Sequence, residues 1–177
     1  MKTMKKVFMT ALVVMMAASM AACGDSSSDS TGSSGSSSGV KIGLHYELTG
    51  AVADYGTAEL KGSQLAIKQA NAAGGNYVEV IYDNKSDTTE SVTLAAQLAS
   101  DGVVGVVGPA TSGASAATYQ IMNDAKITVV SPSATAINQT LNPTSGNVYD
   151  YVFRICFEDS YQGAAMAQYA VDTLGKA

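Results

Sequence analysis

Tryptophan is absent from this chain, histidine occurs once, at position 45, and cysteine twice, at positions 23 and 156. A metal centre built on His and Cys needs several ligands at set spacings, and no such cluster exists here. One histidine leaves a serine triad with a single candidate base and no acid spaced to orient it. A phosphate-binding P-loop is missing, and Gly102, Gly105 and Gly108 lie inside a strand pattern with the wrong spacing for a dinucleotide fingerprint. No cofactor is therefore indicated. Basic residues are few, ten Lys and Arg against fifteen Asp and Glu, so there is no basic patch for nucleic acid.

No apolar run is long enough to cross a bilayer. The longest, residues 7–22, has 16 residues, short of the roughly 20 that span it. It follows Lys2, Lys5 and Lys6 and ends in Met20-Ala21-Ala22-Cys23. A basic start, an apolar middle and a small-residue cleavage site make a secretory signal peptide over residues 1–22. The residues before Cys23 resemble a bacterial lipobox, which implies lipidation of Cys23 and attachment of the mature chain to the membrane. Removing the three lysines takes the formal charge from −5 to −8.

Residues 23–39 read as the lipidated Cys and a tether. Positions 25–39 are Ser, Gly, Asp and one Thr, which cannot bury a core. These 15 residues reach about 20 Å as a flexible chain. Gly35-Ser36-Ser37-Ser38-Gly39 matches a hydrolase G-x-S-x-G by composition only, because no strand precedes it and no helix follows.

From Val40 onward strand and helix patterns alternate. Strands are expected over Val40–His45, Tyr77–Tyr82, Val103–Val107, Ile127–Val130 and about Tyr151–Cys156. Helices are expected over Gly56–Ala72, Asp87–Ser100, Ser112–Asp124 and Asp159 to about Leu174. Asp87-Thr88-Thr89-Glu90 has the form of a capping box, with Val92, Ala95, Ala96 and Ala99 facing inward after it. Asp159-Ser160-Tyr161-Gln162 gives a second cap signature. Near-continuous apolar strands suit a parallel sheet covered on both faces, and the fold class is a doubly wound α/β sheet of Rossmann-like type. Cys156 has no partner for an internal disulfide once Cys23 is lipidated and reads as a buried, inert thiol.

Two strands run directly into hydroxyl-rich turns: Val103–Gly108 into Pro109-Ala110-Thr111-Ser112, and Ile127–Val130 into Ser131-Pro132-Ser133-Ala134-Thr135. Open parallel sheets bind ligands beyond the carboxyl ends of their strands. Hydroxyls and free N–H groups there suit a small anion such as a carboxylate. The plainer readings are Ser112 as a helix cap, Ser131–Ser133 as a simple turn and Tyr55 as a packing residue.

Leu48-Thr49-Gly50, Asp54-Tyr55-Gly56, Asn71-Ala72-Ala73-Gly74-Gly75, Tyr82–Asp87, Gly108–Ser112, Ser131–Ala136, Phe153-Arg154 and Asp159-Ser160-Tyr161-Gln162-Gly163 occur in an order and spacing that resembles the branched-chain amino acid (leucine/isoleucine/valine) substrate-binding proteins of bacterial ABC transporters, the type I periplasmic binding fold. The resemblance implies an extracytoplasmic, lipid-anchored receptor on the cell surface or periplasmic side. It would trap an amino acid between two lobes and deliver it to ABC permease subunits, with no enzymatic activity. It implies that residues 40–157 form the first lobe, that 158–177 hold the hinge crossing and the first helix of the second, and that the chain is truncated before most of that lobe. Ser112 would offer its hydroxyl to the ligand carboxylate, and Thr135 its N–H and hydroxyl. The Ser133 carbonyl would accept from the ligand ammonium, Ala134 would line the floor, and Tyr55 would cover the ligand side chain. A sensor of the same fold for an amide, urea or aromatic acid is the alternative. A serine hydrolase using His45 and Ser112, and a structural surface lipoprotein, are the readings from other classes.

Overall fold

The computed structural model describes residues 39–176. The signal peptide, Cys23 and all of the tether but Gly39 lie outside the described residues. Nine elements follow in order: β1 (Val40–Tyr46), α1 (Ala53–Ala72), β2 (Tyr77–Asp83), α2 (Thr88–Ser100), β3 (Gly105–Val107), α3 (Ser112–Asp124), β4 (Thr128–Ser131), β5 (Val152–Arg154) and α4 (Asp159–Asp172). The strands form one sheet in the order β2-β1-β3-β4-β5. Every pairing is parallel, with Leu44 opposite both Ile81 and Val107, Val106 opposite Val129, and Val130 opposite Phe153.

Strand alternation sorts the core into two layers. Ile42, Leu44 and Tyr46 face α1 and pack with Leu60, Ile67 and Val107. Val106, Val129 and Val152 face the other way, against Ala95 and Leu98 of α2 and Tyr119 and Met122 of α3. β1 to β2 runs outward under α1, and β2 to β3 returns across β1 under α2. The order therefore reverses between β1 and β3, which is the place such sheets use for a ligand.

Element types match expectation, while several ends and faces do not. α1 begins at Ala53 rather than Gly56, without a side-chain cap at Val52, so the usual start signal is missing from the sequence. Gly56 is instead the point where the helix presses on the backbone of Glu47, with no room for a Cβ. In α2 the buried residues are Ser91, Ala95 and Leu98, not Val92 and Ala96, which are exposed. The Asp87 cap forms, with Glu90 N donating to Asp87 Oδ1 at 2.8 Å. Glu90 does not reach back; its carboxylate meets Lys85 at 2.9 Å, and the Asp87 N–H bonds Asn84 O instead. β3 is limited to Gly105–Val107 because β1 presents only Ile42–Leu44 to it. β5 is likewise shorter than expected, and α4 carries no side-chain cap, since the Glu158 carboxylate is paired with Arg154. None of the α4 residues is buried. Cys156 is only partly buried, and that burial raises its thiol pKa.

His45 is a buried strand residue, 1 % exposed, whose Nε2 has no hydrogen-bond partner. Burial lowers its pKa from 6.5 to about 4, against a smaller upward pull from Glu47. The folded chain thus keeps His45 neutral where the unfolded chain would protonate it, so acid favours unfolding. This contribution is complete above about 6.5 and is lost as the pH falls toward about 4. A shift of this size corresponds to about 3 kcal/mol. Urea unfolding at about pH 7 and about pH 4.5 is expected to show this loss in the parent and a much smaller one in His45→Gln. Equal pH slopes in the two proteins would remove His45 from the account.

Candidate functional site

The carboxyl ends of β1, β3 and β4 carry the groups that shape one open hollow. After β1 the chain turns sharply into α1, and Asp83 at the end of β2 pins that turn. Asp83 Oδ1 accepts from Leu48 N at 2.9 Å and Thr49 N at 3.1 Å, and Oδ2 accepts from Thr49 Oγ1 at 2.7 Å. Burial works against this charge, but the hydrogen bonds from Thr49, Lys85 and Leu48 outweigh it and hold the carboxyl below its ordinary range. Tyr55, 62 % exposed, is thereby fixed in the first turn of α1.

Glu47, fully buried, sets the next loop. Its carboxylate accepts from Ala110 N at 3.0 Å, Thr111 N at 3.1 Å and Thr111 Oγ1 at 2.7 Å. The hydroxyl of Thr111, the N-cap position of α3, is thus drawn away from capping, and no side chain caps that helix. Ser112 is the first helical residue, where the expected Ser112–Asp124 span begins, and the plainer reading of it as the cap does not hold, because Thr111 occupies that position. The first-turn N–H groups of a helix are orphan donors with a partial positive charge, and here no side chain caps them, while Ser112 at their head lines the hollow.

The β4 loop is held from both sides. Ser131 Oγ donates to Pro109 O at 2.8 Å, and Ala134 N donates to Ser131 Oγ at 3.2 Å. Arg154 Nη1 donates to Ala134 O at 3.2 Å and Ala136 O at 2.8 Å, while its Nη2 pairs with Glu158. Ala136 N donates to Ser112 Oγ at 3.1 Å. This bond uses a lone pair of Ser112 and leaves its O–H free to donate outward. Ser133 Oγ lies 2.5 Å from Glu59 Oε1 and 2.9 Å from Ala110 O.

Tyr55, Ala110, Thr111, Ser112, Ser133 and Thr135 together line a hollow of about 290 Å³, near the lower end of the roughly 300–1,000 Å³ range of small-molecule sites. Four of the five ligand residues expected from the sequence therefore come together. The fifth, Ala134, is fully buried and does not line the wall; its backbone ties the loop to Ser131 and Arg154. Sequence reasoning passed over Glu47, Glu59 and Arg154 as functional residues. The available signal was weak: an acidic residue directly after a buried strand, and an arginine within the Phe153-Arg154 pair. No hydrogen bond joins His45 to Ser112 among the described residues, so the base a serine nucleophile requires is not in place. A larger hollow, about 460 Å³, lies between α3 and the 137–149 loop. Its wall holds no strand-end residue and no helix start, so its size alone does not make it the better candidate. No group of three or more His, Cys, Asp or Glu able to hold a metal occurs among the described residues.

An open parallel sheet whose switch point carries a helix start without a side-chain cap and several hydroxyls is an arrangement in which such folds hold small polar molecules. The periplasmic binding protein family matches residues 39–177, and the chain belongs to that family. It is 32 % identical over 139 residues to the leucine-specific-binding protein of Salmonella typhimurium, covering 76 % of this chain and 36 % of that protein. It is 33 % identical over 137 residues to the leucine-, isoleucine-, valine-, threonine- and alanine-binding protein of Pseudomonas aeruginosa, covering 75 % and 35 %. Among solved structures it is similar to the branched-chain amino acid transporter substrate binding protein LivJ of Streptococcus pneumoniae in complex with isoleucine. That likeness has a TM-score of 0.70 and 41 % identity, over 77 % of this chain and 39 % of the other. The chain thus spans a little over a third of the length of these relatives.

Proposed function

We propose that residues 40–157 are the first lobe of an extracytoplasmic receptor that captures an amino acid, a branched-chain one first of all, for an ABC importer, and that 158–177 begin the passage to a second lobe. One observation carries the ligand class: the uncapped start of α3 beside a Ser112 hydroxyl whose proton is uncommitted. A carboxylate placed there accepts from Ser112, from the helix N–H groups and from Thr135, and needs no cationic side chain. The ligand ammonium then requires an acceptor, which the Ser133 carbonyl supplies in part. The relatives named above are leucine-specific, bind leucine, isoleucine, valine, threonine and alanine, or hold isoleucine, which favours an amino acid over an amide, urea or aromatic acid. Binding without chemistry also accords with relatives that are binding proteins.

A single lobe leaves the ligand half in water, so this chain alone is expected to bind at millimolar Kd or weaker, about −4 kcal/mol. Titrating the labelled chain with isoleucine, leucine and valine while following amide NMR shifts reads such affinities. Shifts confined to the loops around Ser112 and Thr135, and lost in Ser112→Ala and Thr135→Ala, support the reading. Absence of any shift with all three, or unchanged shifts in both variants, overturns it. The anchor through Cys23 belongs to the same proposal; acyl labelling of the expressed chain that persists in Cys23→Ala would refute it.

A further inference from the structure

Glu59 projects from α1 to the joint between the two ligand loops. Its Oε1 lies 2.5 Å from Ser133 Oγ, and Ser133 Oγ lies 2.9 Å from Ala110 O. Three oxygens in a row need two protons if each short approach is to be a hydrogen bond. Ser133 has one, and the Ala110 carbonyl has none. With Glu59 ionised, the single Ser133 proton satisfies one neighbour and leaves two bare oxygens facing each other at the other. With Glu59 protonated, both approaches are hydrogen bonds.

The second carboxyl oxygen gives an independent indication. Glu59 Oε2 is buried and has no partner. A carboxylate would leave charge there unpaired and out of water, which is costly, whereas the carbonyl oxygen of a neutral acid tolerates it far better. The surroundings add no cation. Glu47 lies close enough at the end of β1 to disfavour a second negative charge. Tyr46 beside it donates to, or accepts from, Ser63 at 2.8 Å. Beyond β5 the nearby titratable group is the Cys156 thiol. On α1 itself, Asp54 and Tyr55 share a surface hollow with Glu59. Burial first, then Glu47, raises the Glu59 pKa, and the bond to Ser133 offsets this only in part.

We propose that Glu59 is held as the neutral acid and acts as a positioning residue, its O–H donating to Ser133 Oγ and the Ser133 O–H donating to the Ala110 carbonyl. The chain of donors has one direction. It locks the β3 loop, which presents Ser112, to the β4 loop, which presents Thr135, and ties both to α1. Ala110 continues the path, since its N–H donates to Glu47. No proton is lost or gained in this arrangement until Glu59 ionises. Ionised Glu59 then accepts the hydrogen bond of the Ser133 O–H, which turns away from Ala110 O, and that link is broken. The consequence for the ligand rests on the amino-acid reading above: affinity falls as the pH rises through the ionisation of Glu59, because the two loops lose their shared bond and a negative charge appears beside a carboxylate site.

Side-chain carbon-13 NMR of the glutamates, across a pH titration of the whole chain without ligand, tests the protonation directly. Glu59, assigned by loss of its signal in Glu59→Gln, is expected to stay protonated after exposed glutamates have ionised near about 4.3. Ionisation together with them overturns the proposal. A second arm repeats the isoleucine titration at several pH values. Glu59→Gln keeps a donor for Ser133 and is expected to bind within about twofold of the parent, with a flat pH profile. Glu59→Ala is expected to bind about tenfold more weakly, the loss of one hydrogen bond of about 1.4 kcal/mol. A parent profile as flat as that of Glu59→Gln overturns the positioning role even if Glu59 is neutral. If no amino acid binds but Glu59 remains protonated, the ligand reading fails and the protonated link stands.

Discussion

Replacing Glu47 by alanine is expected to destabilise the lobe by about 3–5 kcal/mol, the largest effect of any single side chain at the site. The Glu47 carboxylate is fully buried and takes three donors from the β3 loop, two of them backbone N–H groups. Truncation leaves those donors without a partner where water cannot reach easily. Each buried donor left unsatisfied costs about 1–3 kcal/mol. Glu47→Gln keeps the shape but turns an NH₂ toward a donor, and about 2 kcal/mol is expected for it. The same change frees Thr111, so its hydroxyl can fold back as a conventional cap on α3 and compete with an anion. Urea unfolding midpoints measure the first effect, with exposed Asp150→Ala as the neutral control. If Glu47→Ala proves no worse than that control, the carboxylate clamp is not what holds the loop.

The second large effect belongs to Gly108. Its φ is +104°, and an added Cβ would overlap the carbonyl oxygen of His45 on the neighbouring strand. Neither atom is a flexible side-chain end, so the backbone of β1 or of the loop must move. Left-handed strain of about 1–2 kcal/mol adds to the cost of overlap, about 1–3 kcal/mol. Gly108→Ala is therefore expected to lose on the order of 4 kcal/mol or to fail to fold. Gly146 separates the two contributions. Its φ is +72°, with nothing within 4 Å of a Cβ, so Gly146→Ala is expected to show the strain alone, about 1–2 kcal/mol. Equal losses in the two variants would show that crowding against His45 contributes nothing. Both predictions concern one stretch, Gly108–Thr111, which β1 shapes from below through the His45 backbone and from the side through Glu47.

The reading of the chain succeeded where the physics is local. Alternation and apolar runs located the five strands and four helices of the described residues, and Asp87 marked the start of α2 because a cap bonds a donor only three residues away. Hydroxyl-rich turns after two buried strands pointed to the hollow that Ser112, Ser133 and Thr135 line, since strand ends of a parallel sheet meet along one edge. Errors arose where the deciding partner lies far along the chain. The start of α1 at Ala53 has no side-chain cap to announce it, and the Thr111 hydroxyl, a local cap candidate for α3, is claimed by Glu47 from 64 residues away. The exposed Val92 and buried Leu98 show that helix phase is set by the partner helix and sheet, which alanine-rich periodicity fixes poorly.

Taken alone, the sequence determined the order of elements, their parallel α/β character and the two hydroxyl-bearing strand ends that line the candidate site. These follow from contacts within a few residues, which the chain specifies wherever it folds. The tertiary structure decided which hydroxyls are free. Ser115 and Ser131 are spent on Pro109 O, Ser133 sits between Glu59 and Ala110, and Ser112 accepts from Ala136 N. A hydroxyl has one proton, and its use depends on the acceptor that strand register brings beside it. For Ser131 and Ser133 that acceptor comes from α1 or from the loop after β3, 22 to 74 residues away, and no local pattern encodes the encounter.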